Sequence, residues 1–210
     1  MSQDLLVDIS ESVLTLTLNR PESLNAFSAD MILGITNAIK EARTNPEIRA
    51  IVIRGAGRAF CAGGDVKSMG SGGPINTYDF IARLNECILT MRDTEKPIIA
   101  VVHGYAAGAG SSLALAADLI LAAEGSKFAL SFAQVGLISD GGGSYHLTKL
   151  IGPYLAKQFY FSAEPIPVER MYQLGVVNEI VPQENLDEEV RKLAQKLANG
   201  PSRAHGVQKK

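Results

Sequence analysis

The 210-residue sequence has little that would mark a common ligand class: no excess of positive charge, no long apolar run, two cysteines and three histidines. A net charge of -2 at pH 7 leaves no electrostatic footprint for nucleic acid, and the terminal Gln208-Lys209-Lys210 is too short to supply one. The most apolar stretch, residues 97–102, is far shorter than the roughly 20 residues a helix needs to cross a bilayer. Met1-Ser2-Gln3-Asp4 lacks the basic opening and apolar core of a secretory signal. These absences predict a cytoplasmic protein with neither membrane nor nucleic acid as partner. Cys61 falls at an apolar-flanked loop entry and Cys87 in a helical pattern. A reducing compartment is the simpler reading, with a bridge between them left open.

Familiar motifs are missing too. The histidines and cysteines show no metal-ligand spacing. No Gly-Lys-Ser/Thr forms a P-loop, and Gly108-Ala109-Gly110-Ser111-Ser112-Leu113 lacks the third glycine of a dinucleotide fingerprint. The same segment lacks both flanking glycines of a nucleophile elbow. No resident cofactor or metal is expected. Solenoid periods and low-complexity segments are absent as well.

What is there suits one compact domain, with 46% hydrophobic and 20% charged residues. Leu5-Leu6-Val7 and the alternating Val13-Leu14-Thr15-Leu16-Thr17-Leu18 read as strands joined by a turn at Ser10-Glu11-Ser12. Asn19-Arg20-Pro21 ends that run. Ser28 is a good N-cap for a helix whose Met31, Ile32, Ile35, Ile39 and Ala42 recur at helical spacing. Ala50-Ile51-Val52-Ile53-Arg54-Gly55 and residues 97–102 read as strands buried on both faces. Each precedes a glycine-rich loop and a helix, at 76–92 and 109–117. A strand at 119–122, helices through 151 and over 153–161, a last strand at 176–181 and an amphipathic helix at 186–198 complete the chain. Strand–loop–helix alternation predicts an α/β fold with loops gathered at one end of a sheet.

Glycine lets main-chain N–H groups approach a ligand closely. At a helix start, the unpaired N–H groups and the macrodipole favour negative charge. Gly108-Ala109-Gly110 sits between a buried strand and a helix, and Phe60-Cys61-Ala62-Gly63-Gly64-Asp65 follows the preceding buried strand. Two such loops facing one point would form an oxyanion hole. The same glycines also serve tight turns and close helix–sheet packing, and spacing alone weighs the two readings evenly.

Three ordered motifs add a resemblance. Asn19-Arg20-Pro21 with Leu24-Asn25-Ala26 comes first. Gly57-Arg58-Ala59-Phe60-Cys61-Ala62-Gly63-Gly64-Asp65 and His103-Gly104-Tyr105-Ala106-Ala107-Gly108-Ala109-Gly110 follow. Together they resemble the crotonase (enoyl-CoA hydratase/isomerase) superfamily, colinearly from about Leu5 to the last amphipathic helix. The resemblance implies a crotonase-like spiral of ββα units acting on acyl-CoA thioesters, with coenzyme A entering as part of the substrate. It implies that the N–H groups of Gly64 and Ala109 hold the thioester oxygen, with Gly110 beside them. Residues 62–67 (Ala62, Gly63, Gly64, Asp65, Val66 and Lys67) would lie along the CoA, and Arg20 and Ala26 at its adenine end. Lys67 reads also as a solvated loop lysine.

Family hydratases carry two glutamates, and alignment puts Ser112 and Phe132 at those positions. Neither can act as a base, which disfavours simple hydration. Asp140 lies where some family isomerases carry an aspartate. Its surroundings most resemble the phenylacetate-pathway ring-epoxide isomerases (1,2-epoxyphenylacetyl-CoA isomerase) and related double-bond isomerases. A 1,3-proton shift needs one such carboxylate, and burial beside an acyl chain would raise its proton affinity. The competing reading makes Asp140 an N-cap for the helix starting near Gly142. Asp65, Asp118, Glu86, His103, Tyr145 and His146 read as structural, and Ser111 and Ser112 as small packing residues or acyl contacts.

Residues 1–199 are expected to form the core, and 200–210 to begin a C-terminal helical region that family members carry further, as if truncated here. A homotrimer or dimer of trimers goes with that region. Rival functions are an enoyl-CoA hydratase, a naphthoate-synthase-like enzyme, and a non-catalytic homologue binding acyl-CoA or RNA.

Overall fold

The computed structural model describes residues 3–65 and 73–209, with side chains in the second stretch from 77 onward. Strands β1 (Leu5–Ser10) and β2 (Val13–Leu18) form a hairpin. Its two-residue turn places Glu11 and Ser12 at φ 50° and 63°, the left-handed conformation that matches the strand twist. Helix α1 (Ala29–Thr44) follows, and the Ser28 hydroxyl accepts from the Met31 N–H at 3.1 Å as the predicted cap. Then come β3 (Ala50–Gly55), α2 (Gly73–Asp93), β4 (Ile98–Val102), β5 (Tyr105–Ala107) and α3 (Ala109–Ala116). The second half runs β6 (Leu119–Ala123), β7 (Lys127–Ala129), a 3₁₀ turn (Ser131–Val135), α4 (Gly143–Ile151) and α5 (Pro153–Ser162). It ends with β8 (Pro165–Pro167), α6 (Val168–Gln173), β9 (Glu179–Val181), α7 (Leu186–Ala198) and α8 (Ser202–Lys209).

Six strands form one sheet in the order β1-β2-β3-β4-β6-β9, parallel except for the hairpin. Alternation divides the central strands between two cores. Leu14, Leu16, Ile51, Ile53, Ala100 and Val102 face one side, which α1, α2 and α3 cover. Val13, Ala50, Val52, Ile99 and Val101 face the other, covered by Leu186, Val190, Ala194 and Ala198 of α7 at strict four-residue spacing. Burial on both faces is why these strands read as continuous apolar runs.

A second sheet, β5-β7-β8, was not foreseen. Its strands are three residues each, too short to show alternation. Single bridges from Cys61 to Ala106 and from Phe27 to Gly64 extend it backbone to backbone. Two predicted boundaries also move. Helix α2 begins at Gly73 instead of 76, and the last strand shrinks to three residues. Val176 and Val177 instead close the turn after α6, both N–H groups reaching the Met171 carbonyl. Both cysteines are free and buried, and desolvation pushes each thiol up to about 12. Helix α8 is held by Lys209, whose ammonium lies 2.8 Å from Asp118.

Candidate active site

Two loops beyond the ends of β3 and β4 meet through their backbones. The Cys61 N–H donates to Tyr105 O and the Ala107 N–H to Cys61 O, at 3.1 and 2.8 Å. The Ala62 N–H donates to Leu24 O, the Gly63 N–H reaches Cys61 Sγ, and the Gly108 N–H donates to Ala129 O. That accounting leaves over the amide of Gly64 and those of the first turn of α3, Ala109 first among them. The N–H groups of Gly64 and Ala109 find no acceptor among the described residues, although Gly63 and Ala109 are packed together. Ala109 opens α3, so its N–H is one of the orphan donors at a helix start. Unpaired amides at this depth are rare, and each is a donor awaiting an acceptor.

Glycine is needed here for stated reasons. Gly108, the N-cap of α3, has φ 50° and ψ -126°, a region side chains exclude. At Gly63 a methyl would come 2.6 Å from Ala107 O and 2.9 Å from Ala109 N. Gly110 sits equally tight, where a methyl would meet Cys61 O at 2.4 Å. Packing and amide presentation, weighed as alternatives from sequence, therefore coexist: the tight contact is what brings the loops together.

Arg20, Ala26 and Asp65 form a second group. The Arg20 guanidinium donates to Ala26 O at 2.7 Å and lies 3.6 Å from the Asp65 carboxylate and 3.8 Å from that of Asp4. Ala62 borders this group through its bond to Leu24 O. Val66 and Lys67, expected beside the CoA, lie outside the described residues. The sequence reading passed over the residue that organises this corner. Asn25 is fully buried, donates to Ala56 O and Ala59 O at 2.8 Å, and accepts from the Arg20 N–H at 2.9 Å. Its neighbour Leu24 and Asn25 itself both have positive φ, 53° and 57°. The signal was present, since asparagine tolerates that conformation and bonds nearby backbone.

Asp140 lies in the loop entering α4. It is not the cap of that helix: Gly142 occupies the N-cap and no side chain caps it. The Asp140 carbonyl accepts from Ser112 Oγ at 2.9 Å and from the Gly143 N–H at 3.0 Å, while carboxylate Oδ1 is buried without a partner. Desolvation raises its pKa to about 6, partly offset by its own backbone N–H. Ser112 on α3 ties the Asp140 loop to the helix that carries the Ala109 amide. Phe132 places its ring beside Gly108, 3.9 Å from where a methyl would sit. The two positions where a hydratase pair was sought thus hold a hydroxyl engaged with backbone and an apolar ring.

The remaining candidates have structural partners. Asp118 accepts from the Ile98 N–H and faces Arg92 and Lys209. Glu86 pairs with Lys40, His103 is buried with a ring nitrogen 2.9 Å from Gly57 O, and Ser111 donates to Ala106 O. Tyr145 and His146 pack edge to face on α4. Among the described residues no group of His, Cys, Asp and Glu could hold a metal ion, and no helix is long and apolar enough to cross a membrane.

The amides of Gly64 and Ala109 lie on loops at the ends of parallel strands, and Ser112 ties the loop of a desolvated acid to the helix that Ala109 opens. Comparison with known proteins gives the family. The family model for enoyl-CoA hydratase/isomerase matches residues 8–210. The chain is 33% identical over 211 residues to the 1,2-epoxyphenylacetyl-CoA isomerase of Escherichia coli K12, covering 99% of this chain and 80% of that protein. It is 31% identical over 196 residues to the crotonyl-CoA hydratase of Syntrophomonas wolfei, covering 93% and 75%. The crystal structure of an enoyl-CoA hydratase from Mycobacterium avium subsp. paratuberculosis superposes with a TM-score of 0.91 at 34% identity, covering 100% and 84%. The chain belongs to the enoyl-CoA hydratase/isomerase family, the crotonase superfamily of acyl-CoA enzymes, and has its fold.

Proposed function

We propose that this chain is an acyl-CoA isomerase in which Asp140 alone carries the proton. The observation behind this reading is the buried, unpartnered Oδ1 of Asp140 in a loop tied to α3, with Ser112 and Phe132 at the positions a hydratase would fill with acids. The Asp140 carboxylate removes a proton from the carbon next to the thioester. The electron pair moves onto the thioester oxygen, where the Gly64 and Ala109 N–H groups stabilise it. The conjugate acid, which exchanges its proton in part with solvent, then delivers a proton to the carbon two bonds further along, and Asp140 is regenerated. Preorganised donors of this kind are worth about 3 kcal/mol each in acyl transfer.

Arg20, Ala26, Ala62, Gly63, Asp65 and Gly110 would line the CoA, together with Val66 and Lys67. No further cofactor enters the step. Enoyl-CoA double-bond isomerisation fits it directly, and 1,2-epoxyphenylacetyl-CoA isomerisation would add to the proton transfer the breaking of the C–C bond of the epoxide, which expands the ring. A homotrimer or dimer of trimers in the cytoplasm goes with the same reading, and light scattering measures the assembly.

Hydration is the second reading, favoured by the 31% identity to crotonyl-CoA hydratase. The test follows deuterium entering trans-3-hexenoyl-CoA and phenylacetyl-CoA at the carbons next to the thioester and beyond. Hydration of crotonyl-CoA is measured in parallel. Exchange that Asp140→Asn abolishes supports the isomerase. Unchanged exchange in the variant, or rapid hydration with no exchange, refutes it.

A further inference from the structure

The proton shift leaves three hydroxyls beside Asp140 without a role. Ser112 on α3, Ser139 in the loop and Tyr160 on α5 converge on one point. A methyl built on Gly143 would meet Ser112 Oγ at 2.4 Å, Ser139 Oγ at 2.9 Å and Tyr160 Oη at 3.2 Å. Ser112 Oγ and the Gly143 N–H hold the Asp140 carbonyl, and Ser139 Oγ donates to Tyr160 Oη at 3.3 Å. The residue before Asp140 and the carbonyl of Asp140 itself are therefore both fixed, while nothing described fixes Oδ1. A carboxylate without a side-chain partner is aimed only by the backbone that carries it.

We propose that Tyr160 is a positioning residue for Asp140: through Ser139 it clamps the chain entering Asp140, so that the main chain aims the carboxylate and keeps it dry. This inference rests on Asp140 being the proton carrier. Tyrosine suits the task because its ring is stiff and long enough to span from α5 to the loop, while packing half-buried against the core. Released from the clamp, the loop would lose aim, and a displacement of about 1 Å at a reacting group costs up to a hundredfold in rate. It would also admit water to Oδ1, favouring the charged form.

Among the described residues, Leu84 and Ile88 of α2 and Ser112 of α3 pack on Gly141 and Gly142, the two residues after Asp140. The titratable group that feels Asp140 is Tyr160 on α5, whose phenol is raised by burial and by the Asp140 charge, while His146 on α4 packs on Gly142. Burial, and after it the charges of Arg92 on α2 and Lys149 on α4, hold the proton affinity of His146 down.

The test uses the full chain and trans-3-hexenoyl-CoA in deuterated buffer, comparing wild type with Tyr160→Phe, Ser139→Ala and the double variant. Thermal midpoints confirm that each folds, and Ser139→Ala carries the test alone if Tyr160→Phe does not. The expected result is a roughly tenfold lower kcat in each single variant, KM within about twofold, and no further loss in the double. The acid limb of the kcat/KM profile, expected near 6 in the wild type, moves at least half a pH unit lower in each. Additive losses, or a lower rate with the acid limb unmoved, overturn the clamp while leaving the proton carrier in place. Exchange that survives Asp140→Asn overturns the carrier, and the clamp with it.

Discussion

A carboxylate buried for chemistry should cost the fold something, and the cost can be worked out for Asp140. An aspartate ordinarily titrates near 3.9, and burial raises this one to about 6. The sign follows from linkage. Below pH 4 the carboxyl is neutral folded or unfolded and the site costs nothing. Between about 4 and 6 the unfolded chain gains charge that the folded chain resists, so stability falls as pH rises. Above about 6 the penalty is complete. A fully buried group with this difference would lose about 3 kcal/mol. Asp140 is part-exposed, and solvent screening reduces the figure to about 1–2 kcal/mol. Asparagine keeps the shape and removes the charge. Asp140→Asn should therefore melt higher than the wild type at pH 7.5, by roughly 2–8 °C for a chain of this size, with much less advantage at pH 4.5. The assay is scanning calorimetry of both proteins at four pH values across that window. A difference independent of pH, or one that grows as pH falls, would show that burial does not raise the proton affinity of Asp140 and would remove the physical basis for its role.

Gly63→Ala forces a methyl against Ala107 O and Ala109 N at positive φ. It should cost about 2–5 kcal/mol and more than a hundredfold in turnover; near-wild-type exchange would mean that this loop contact does not set the amides. Asn25→Ala leaves two carbonyls and the Arg20 N–H unpaired, for a loss of about 3 kcal/mol in urea unfolding, with acyl-CoA affinity falling as the Arg20 corner loosens. Asp118→Ala takes the carboxylate from Lys209, whose side chain is 5% exposed and keeps its bond to the Lys96 carbonyl. It should destabilise by about 3–5 kcal/mol, and adding Lys209→Met should recover part of that. A double variant as weak as the sum of the two singles would deny the pairing.

The sheet was legible because its strands obey simple periodicities. Ala50 to Gly55 is buried from both sides, and Val13 to Leu18 alternates apolar residues with threonine. Ser28 and its helix were equally plain, since the cap and the buried stripe are local. The second sheet was not legible, because pairing among three-residue strands is decided by what lies across the fold and not by neighbours in sequence. For the same reason the chemical neighbourhood of Asp140 was only half readable. The acid could be found by its place in an ordered motif, but Tyr160 lies twenty positions on, in a helix whose pattern asks only for packing. Asn25 is the instructive case. It stood inside a quoted motif, yet its contacts with Ala56 and Ala59 span more than thirty residues.

The spare amides and the lone acid constrain one another. A site with two acids could activate water with one and protonate carbon with the other. Here the ring of Phe132 stands beside Gly108, and Ser112 spends its hydroxyl on the Asp140 carbonyl. Neither position offers a charged group. Burial raises Asp140 to about 6, close enough to neutral, on the proposed reading, for one group to accept a proton and give it back. On the proposed reading, an apolar ring where a second acid would stand does two things at once. It would remove a means of activating water, and it would leave Asp140 as the one carboxylate to move a proton between carbons.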